Sequence, residues 1–178
     1  MSKVIAITQR LMIRQMTIDD GEFILHHFNE PLFIKNIADK KIKSLEAAKQ
    51  FIIDGPQRSY QENGFGMFIV LLKDSNTPVG TCGLLKRDNI DDIDLGYALV
   101  SKYHKKGYLQ EAAIAVLNYA KNELQLNRIV GYTATDNNNS MNALNKLGFS
   151  NEGVFDLAGY DTPSNRFVLN FSSLKKSV

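Results

Sequence analysis

Cysteine is almost absent from this chain: Cys82 stands alone, and there are only three histidines. A single thiol rules out an intrachain disulfide, and no spacing of these residues reads as a zinc site, so no metal is expected. Cys82 is expected to act as a small buried hydrophobe. His26 and His27 are adjacent, so on a helix they point in different directions instead of forming a metal pair. No stretch approaches the roughly 18 uninterrupted apolar residues of a spanning helix, and the first residues lack a signal peptide's apolar run and small-residue cleavage site. The protein is therefore expected in the cytoplasm. Internal repeats, low-complexity tracts and Pro/Gly-rich linkers are missing too, so residues 1–178 are read as one domain.

Charge of either sign is nearly cancelled. A net +2 is too slight to hold nucleic acid by itself, and the lysine pairs at 40–41 and 175–176 read as solvated faces, so any anion site has to be local. What the chain does have is 44% hydrophobic residues against 22% charged, the balance of a soluble globular protein with a sizeable core.

RLMIRQM (10–16) alternates polar and apolar as a strand does, and TIDDGEFILHHF offers Thr17 as the N-cap of a short helix. SLEAAKQFIIDG (44–55) predicts a second helix with Ser44 as N-cap and Gly55 as its stop. The period then changes. Residues 66–73 and 79–86 read as strands joined by the turn-forming DSNTP, and IDLGYALV (93–100) as a third. From Tyr108 to Leu124 the residues Leu109, Ala112, Ala113, Val116, Leu117, Ala120 and Leu124 recur at three and four, one buried stripe on a long helix. RIVGYTAT (128–135) returns to strand, and NNNSMNALNKLGF predicts a short helix closed by a left-handed Gly148. Strands near 149–155 and 166–172 flank a loop containing GYDTPSN. The alternation implies an α/β or α+β sheet with helices packed on its faces.

At the strand-to-helix junction YHKKGYLQEA, unpaired first-turn amides and the positive helix end meet a glycine, Gly107, that lets the loop bend close to a ligand. A pyrophosphate suits such a site, and Lys102, Lys105 and Lys106 would add modest point charges. The other reading is that Gly107 only relieves backbone strain and the lysines keep the surface soluble. There is no GxxxxGK[ST], GFGMFI (64–69) lacks the third glycine of a dinucleotide fingerprint, and no GxSxG is present. The phosphate ligand is thus expected to be neither a nucleoside triphosphate nor a nicotinamide dinucleotide.

HKKGYLQEA after DLGYALV, followed by RIVGYTATDNNNSMNALNKLGF, resembles the GNAT superfamily of N-acetyltransferases. With RLMIR near the start, N-x-x-S and NKLGF, the order resembles its branch of ribosomal-protein N-terminal (alanine/serine) acetyltransferases, in register from about residue 9 to about 172. The family's loop pattern is Gln or Arg, two residues, Gly, one residue, then Gly or Ala. His104, Gly107 and Leu109 stand at those places, so the first and last depart from it.

The resemblance implies a mixed, strongly twisted sheet of about six to seven strands, helices on both faces and a V-shaped split between parallel strands 93–100 and 128–135. It also implies acetyl-CoA as co-substrate. Its pyrophosphate would lie on the loop of His104, Lys105, Lys106, Gly107, Tyr108, Leu109 and Gln110. Its pantetheine arm would use backbone groups of Tyr97, Ala98 and Leu99, as an added strand does.

Acetyl transfer from a thioester to an amine needs a neutral amine, a donor for the oxyanion and a proton for the thiolate. A thiol's ordinary pKa is about 8.5, so a hydroxyl suffices as the acid. Ser140 matches the family's N-x-x-S position and is implied for that role, with Asn137 on the pantetheine; DNNNS also reads as a turn and helix N-cap. Asp92 and Asp94 share a strand face, and Asp94 is the candidate base, with surface solvation the alternative. Glu152, Asp156 and Asp161 are further carboxylates for an acceptor ammonium. Tyr97, Tyr108 and Tyr132 line the cleft or pack in the core, and Lys146 reads as a helix-end charge. The acceptor is a small-molecule or peptide amine, the protein a monomer or homodimer, and nucleic acid and membrane are not expected as partners. A catalytically weak CoA-binding sensor is the alternative function.

Overall fold

A computed structural model describes residues 2–88, 90–156 and 162–171. Eight strands form one sheet: β1 Val4–Ile7, β2 Leu11–Gln15, β3 Met67–Leu72, β4 Pro78–Lys86, β5 Ile93–Leu99, β6 Arg128–Ala134, β7 Ser150–Phe155 and β8 Ser164–Asn170. Their order is β1-β2-β3-β4-β5-β6-β8-β7, and every neighbouring pair is antiparallel except β5 with β6. Of the expected strands, all seven form. The eighth, β1, pairs with β2 and carries too few residues for a period to show.

The helices are α1 Gly21–Phe28, α2 Pro31–Asn36, α3 Leu45–Ile52, α4 Arg58–Asn63, α5 Tyr108–Asn122 and α6 Asn138–Lys146. They cover both faces. Phe68 and Val70 of β3 join Ala112, Ala113, Val116 and Ala120 of α5 in one buried cluster, while Ile69 and Leu71 join Ile24, Ala48 and Ile52 of α1 and α3 in another. Successive strand residues point to opposite faces, so a strand buried on both must read as the unbroken apolar run MFIVLL.

Ser44 caps α3 as expected, its side chain accepting the Ala47 N–H at 3.1 Å. Gly148 follows α6 with φ +88°, the left-handed stop its position calls for. Gly55 behaves otherwise. The chain passes from α3 through a single π turn, Ile53–Gln57, that takes in both Gly55 and Pro56, and continues as α4 until Gly64, whose φ is +78°. A π turn accommodates a proline that the i→i−4 ladder would reject, so the stop moves on by nine residues from 55 to 64. The helix α2 was not anticipated. Among the described residues no helix is long and apolar enough to cross a membrane.

Cys82 is fully buried in the α5 side of the core, and burial pushes its thiol up to about 12 from 9.0. Because the folded value lies above the unfolded one, the stability gained by keeping the thiol neutral is present below pH 9 and is lost as pH rises toward 12. At pH 8 the native protein should leave a disulfide reagent such as dithionitrobenzoate unreacted, and denaturant should release one thiol per chain. Gly80 packs β4 onto β5: a Cβ there would stand 2.8 Å from Leu99 Cα and closer still to the Ala98 carbonyl oxygen. Gly80→Ala is expected to lower unfolding free energy by about 1–3 kcal/mol in urea denaturation, the usual range for overpacking.

Candidate functional site

The parallel pair at the centre of the sheet is joined at one register point, Asp94 opposite Val130. On its other side β5 pairs with β4 along its whole length, Lys86↔Ile93 to Gly80↔Leu99, and β6 pairs with β8 from Arg128↔Asn170 to Ala134↔Ser164. Both strands are held from outside and part from each other beyond Asp94, the V-shaped split expected between them.

The direction of the free groups follows from the ladder. The Val100 N–H donates to the Val79 carbonyl at 2.9 Å. Every second residue of an antiparallel strand faces its partner, so Ala98, Gly96 and Asp94 turn their peptide groups toward β4, and Leu99, Tyr97 and Leu95 turn theirs into the gap. Ala98 was expected to serve the gap with its backbone; its groups belong to β4. The Leu99 carbonyl meets His104 Nε2 at 2.9 Å. The imidazole expected to face a phosphate thus fastens the loop to the end of β5.

After a short turn at Ser101–Tyr103 the loop needs two left-handed residues, Lys105 (φ +59°) and Gly107 (φ +79°), to enter α5. The first helical hydrogen bond runs from the Glu111 N–H to the Gly107 carbonyl at 3.1 Å, so the amides of Tyr108, Leu109 and Gln110 precede the helix's own ladder. The outer side is pinned by a residue far away in sequence. Arg10 Nη1 donates to the Lys106 carbonyl at 2.9 Å and Nε to Glu111 Oε2 at 2.7 Å, while its guanidinium lies 4.7 Å over the Tyr108 ring. Glu111 Oε1 also takes the Thr8 hydroxyl at 2.7 Å and the Arg10 N–H at 2.9 Å. Burial works against the Glu111 charge, but these donors together hold its carboxyl below the usual range. Thr8, Arg10 and Glu111 were missed from sequence; the acidic side chain in the first turn of α5 was their one visible sign. Lys102 and Lys106 gather on the Tyr103 ring, their ammonium groups 5.1 and 5.4 Å from its centroid. Lys105 is exposed, and Leu109 and Gln110 are half-buried.

Across the gap, Tyr97 Oη lies 2.9 Å from Ser140 Oγ. Burial pushes the Tyr97 phenol up to about 12 against the opposing Ser140 hydrogen bond, so it keeps its proton at neutral pH. Asn137 Oδ1 accepts the Ser140 N–H at 3.1 Å and caps α6. The side chain expected on the pantetheine is therefore engaged as the helix cap, and that cap holds Ser140 opposite β5.

Asp94 is 2% exposed. Arg87 places Nε and Nη2 on its Oδ2 at 2.7 and 2.5 Å. Burial raises its pKa and the Arg87 charge and hydrogen bond lower it, burial prevailing. The expected base is thus enclosed by protein donors, with Asp92 nearby holding Arg166 at 2.7 Å and Arg128 at 3.2 Å. Glu152 lies 3.6 Å from Arg166, Asp156 is exposed, and Asp161 lies outside the described residues. Tyr132 is half-buried, burial raising its phenol. Under α1 a groove of about 620 Å³ runs from Asp20 past Phe23 and His27 to Val100 and Lys102. Glu30 closes it, 3.5 Å from His27 Nδ1 and accepting the Ser101 N–H at 3.4 Å.

Residues 10–150 match the family model of the acetyltransferase (GNAT) domain. The chain is 28% identical over 174 residues to an uncharacterized N-acetyltransferase, p20, of Bacillus licheniformis, covering 95% of each. In fold it is similar to RimL, a ribosomal L7/L12 α-N-protein acetyltransferase solved in complex with coenzyme A, with a TM-score of 0.83, 15% identity and coverage of 94% of this chain and 98% of that one. It is similar as well to the ribosomal-protein-S5-alanine acetyltransferase of Vibrio fischeri, at a TM-score of 0.79, 20% identity and coverage of 98% and 99%.

Since Arg10 bonds the loop carbonyl of Lys106 and the first turn of α5, Arg10→Ala should free the loop without unfolding the sheet. Hydrogen exchange at the amides of residues 106–108 is expected to quicken about tenfold while β3 and β4 stay protected.

Proposed function

Because the GNAT domain spans most of its length, the chain belongs to that acetyltransferase family and acts as an acetyl-CoA-dependent N-acetyltransferase; on that premise we propose that it acetylates a primary amine by direct attack, with a protein N-terminal amine as acceptor. The carrying observation is the gap that opens beyond Asp94 and Val130 beside the uncommitted first-turn amides of α5. Those amides, a positive helix end and Lys105 suit a pyrophosphate. The Tyr97 N–H and C=O, turned into the gap, suit an arm that carries amides of its own. The fold shared with RimL and with the S5-alanine enzyme supports the acceptor class.

Acetyl-CoA supplies an activated thioester. As the amine nitrogen bonds the carbonyl carbon, the C–S bond breaks, the amine's surplus proton leaves to water, and the thiolate takes a proton from a hydroxyl that water then reprotonates. Ser140 donates that proton, and Tyr97, protonated throughout the neutral range, stands 2.9 Å behind it to orient its hydroxyl. The amine arrives from the face that carries α1 and α3, since Tyr97 and Ser140 occupy the other. The reaction is assigned to the cytoplasm.

Calorimetry should detect coenzyme A binding, and free thiol should appear when acetyl-CoA is mixed with N-terminal peptides. Ser140→Ala is expected to lower kcat about a hundredfold, the low end for positioned proton transfer, with coenzyme affinity unchanged. Binding without thiol release across a broad amine panel would instead favour a coenzyme sensor.

A further inference from the structure

We propose that the acceptor's first side chain lies in a trough crossing the sheet at Gly83 and Gly96, and that Met67, which reaches over those glycines, sets how large that side chain can be. The inference rests on the reading that the gap presents a thioester to an amine arriving from the α1 side.

Register places the trough. Met67 pairs with Gly83 and Gly83 with Gly96, so one row runs across β3, β4 and β5. Directly paired residues share a face, and alternation assigns this row to the α1 side: Ile69 and Leu71 of β3 join the cluster of α1 and α3, whereas Phe68 and Val70 join that of α5. Two of the three places in the row have no side chain. Gly83 is bare because β3 lies too near for a Cβ, which would stand 2.6 Å from Met67 Cα. Met67 then extends over both glycines. Its Sδ lies 3.1 Å from where a Cβ on Gly96 would be, two strands away, with Leu85 Cδ1 beside it at 3.0 Å.

The row meets the gap at Gly96. Two residues past the last register point stand Gly96 on β5 and Tyr132 on β6, and Arg166 of β8 pairs with Tyr132. Tyr132 and Arg166 also face the α1 side, since a Cβ on Gly131 would lie 3.0 Å from Leu144 of α6 and Phe167 belongs to the α5 core. An amine attacking from this side has Met67, Leu85 and Gly96 on one hand and Tyr132 and Arg166 on the other. All five are half-buried, so each keeps surface open to a ligand.

The two sides differ in chemistry. Arg166, fixed by Asp92 at 2.7 Å, and the Tyr132 phenol form a polar wall suited to the acceptor's peptide groups. The opposite wall is thioether and leucine over bare backbone, which suits an uncharged side chain. Asp94, the carboxylate next along β5, is 2% exposed and engaged by Arg87, so it offers nothing to a cationic one. Methionine is unbranched and flexible and fills irregular space, so Met67 occupies the room that a larger acceptor side chain would need.

Substitutions at the two ends of this contact should move selectivity in opposite directions. Thiol release from acetyl-CoA is measured with peptides alike except for a first residue of glycine, alanine or leucine, and with glycinamide, alaninamide and leucinamide. The parent should favour alanine over leucine about tenfold in kcat/KM, the scale of a methylene or two in an apolar pocket. Met67→Ala should open the trough and raise the leucine-to-alanine ratio about tenfold. Gly96→Ala, whose Cβ meets flexible side-chain ends, should narrow it and lower the alanine-to-glycine ratio about tenfold. Coenzyme A affinity by calorimetry should stay within about threefold in both, because both act on the α1 side of the sheet. Should Met67→Ala fail to fold, Gly96→Ala decides alone. A purely structural role would weaken every acceptor alike, and ratios left at parental values would overturn the proposal, as would a parent indifferent to the first side chain. Shifted ratios for the amides with no peptide turned over would keep the trough and sink the protein N-terminus as acceptor. Peptides turned over with unshifted ratios would do the reverse.

Discussion

A sheet cannot ordinarily leave peptide groups unpaired at its centre, because each one buried without a partner costs about as much as a lost hydrogen bond. Here β5 and β6 do so beyond a single register point, and the rest of the structure is arranged to permit it. The seven-residue ladder of β5 on β4 and that of β6 on β8 hold the two strands from outside. The groups that remain face a space that solvent or an extended ligand can fill. A binding slot is therefore the direct consequence of a missing ladder, and its chemistry is that of the backbone: alternating donors and acceptors at strand spacing.

The second element of the site depends on how closely α5 sits against that sheet. Ala112, Ala113 and Ala120 line its buried stripe with Val116 between them, and such small side chains let a helix approach a sheet closely. With the stripe fixed, the helix N-terminus has one place to be. The Arg10 and Glu111 contacts then set the loop that leads into it, joining groups 101 residues apart in sequence. Phosphate affinity and core packing are in this way two uses of one helix, and a change in either is felt at the other.

Much of this was legible in advance. The period of three and four on α5, the unbroken run of β3 and the caps at Ser44 and Gly148 are local patterns, and each formed where its pattern placed it. The misreadings were also local in origin. Gly55 looks like a helix stop until Pro56 is carried inside a π turn, and four residues of β1 are too few to display alternation. Residues singled out for chemistry did gather around one gap, but several took other duties there: His104 fastens to Leu99, Asn137 caps α6, and Ala98 serves β4.

Spacing along the chain by itself determined the elements, their caps and the bare amides ahead of α5, since all of these depend on residues within a turn or two of each other. Which atoms meet across the gap was decided only by tertiary structure. Tyr97 reaches Ser140 over 43 positions, and Asp94 stands opposite Val130 on a strand that follows α5 in the chain. A hydrogen bond is short and directional, so a partner's identity depends on strand register and on the face a side chain points to, and neither is written in any one segment.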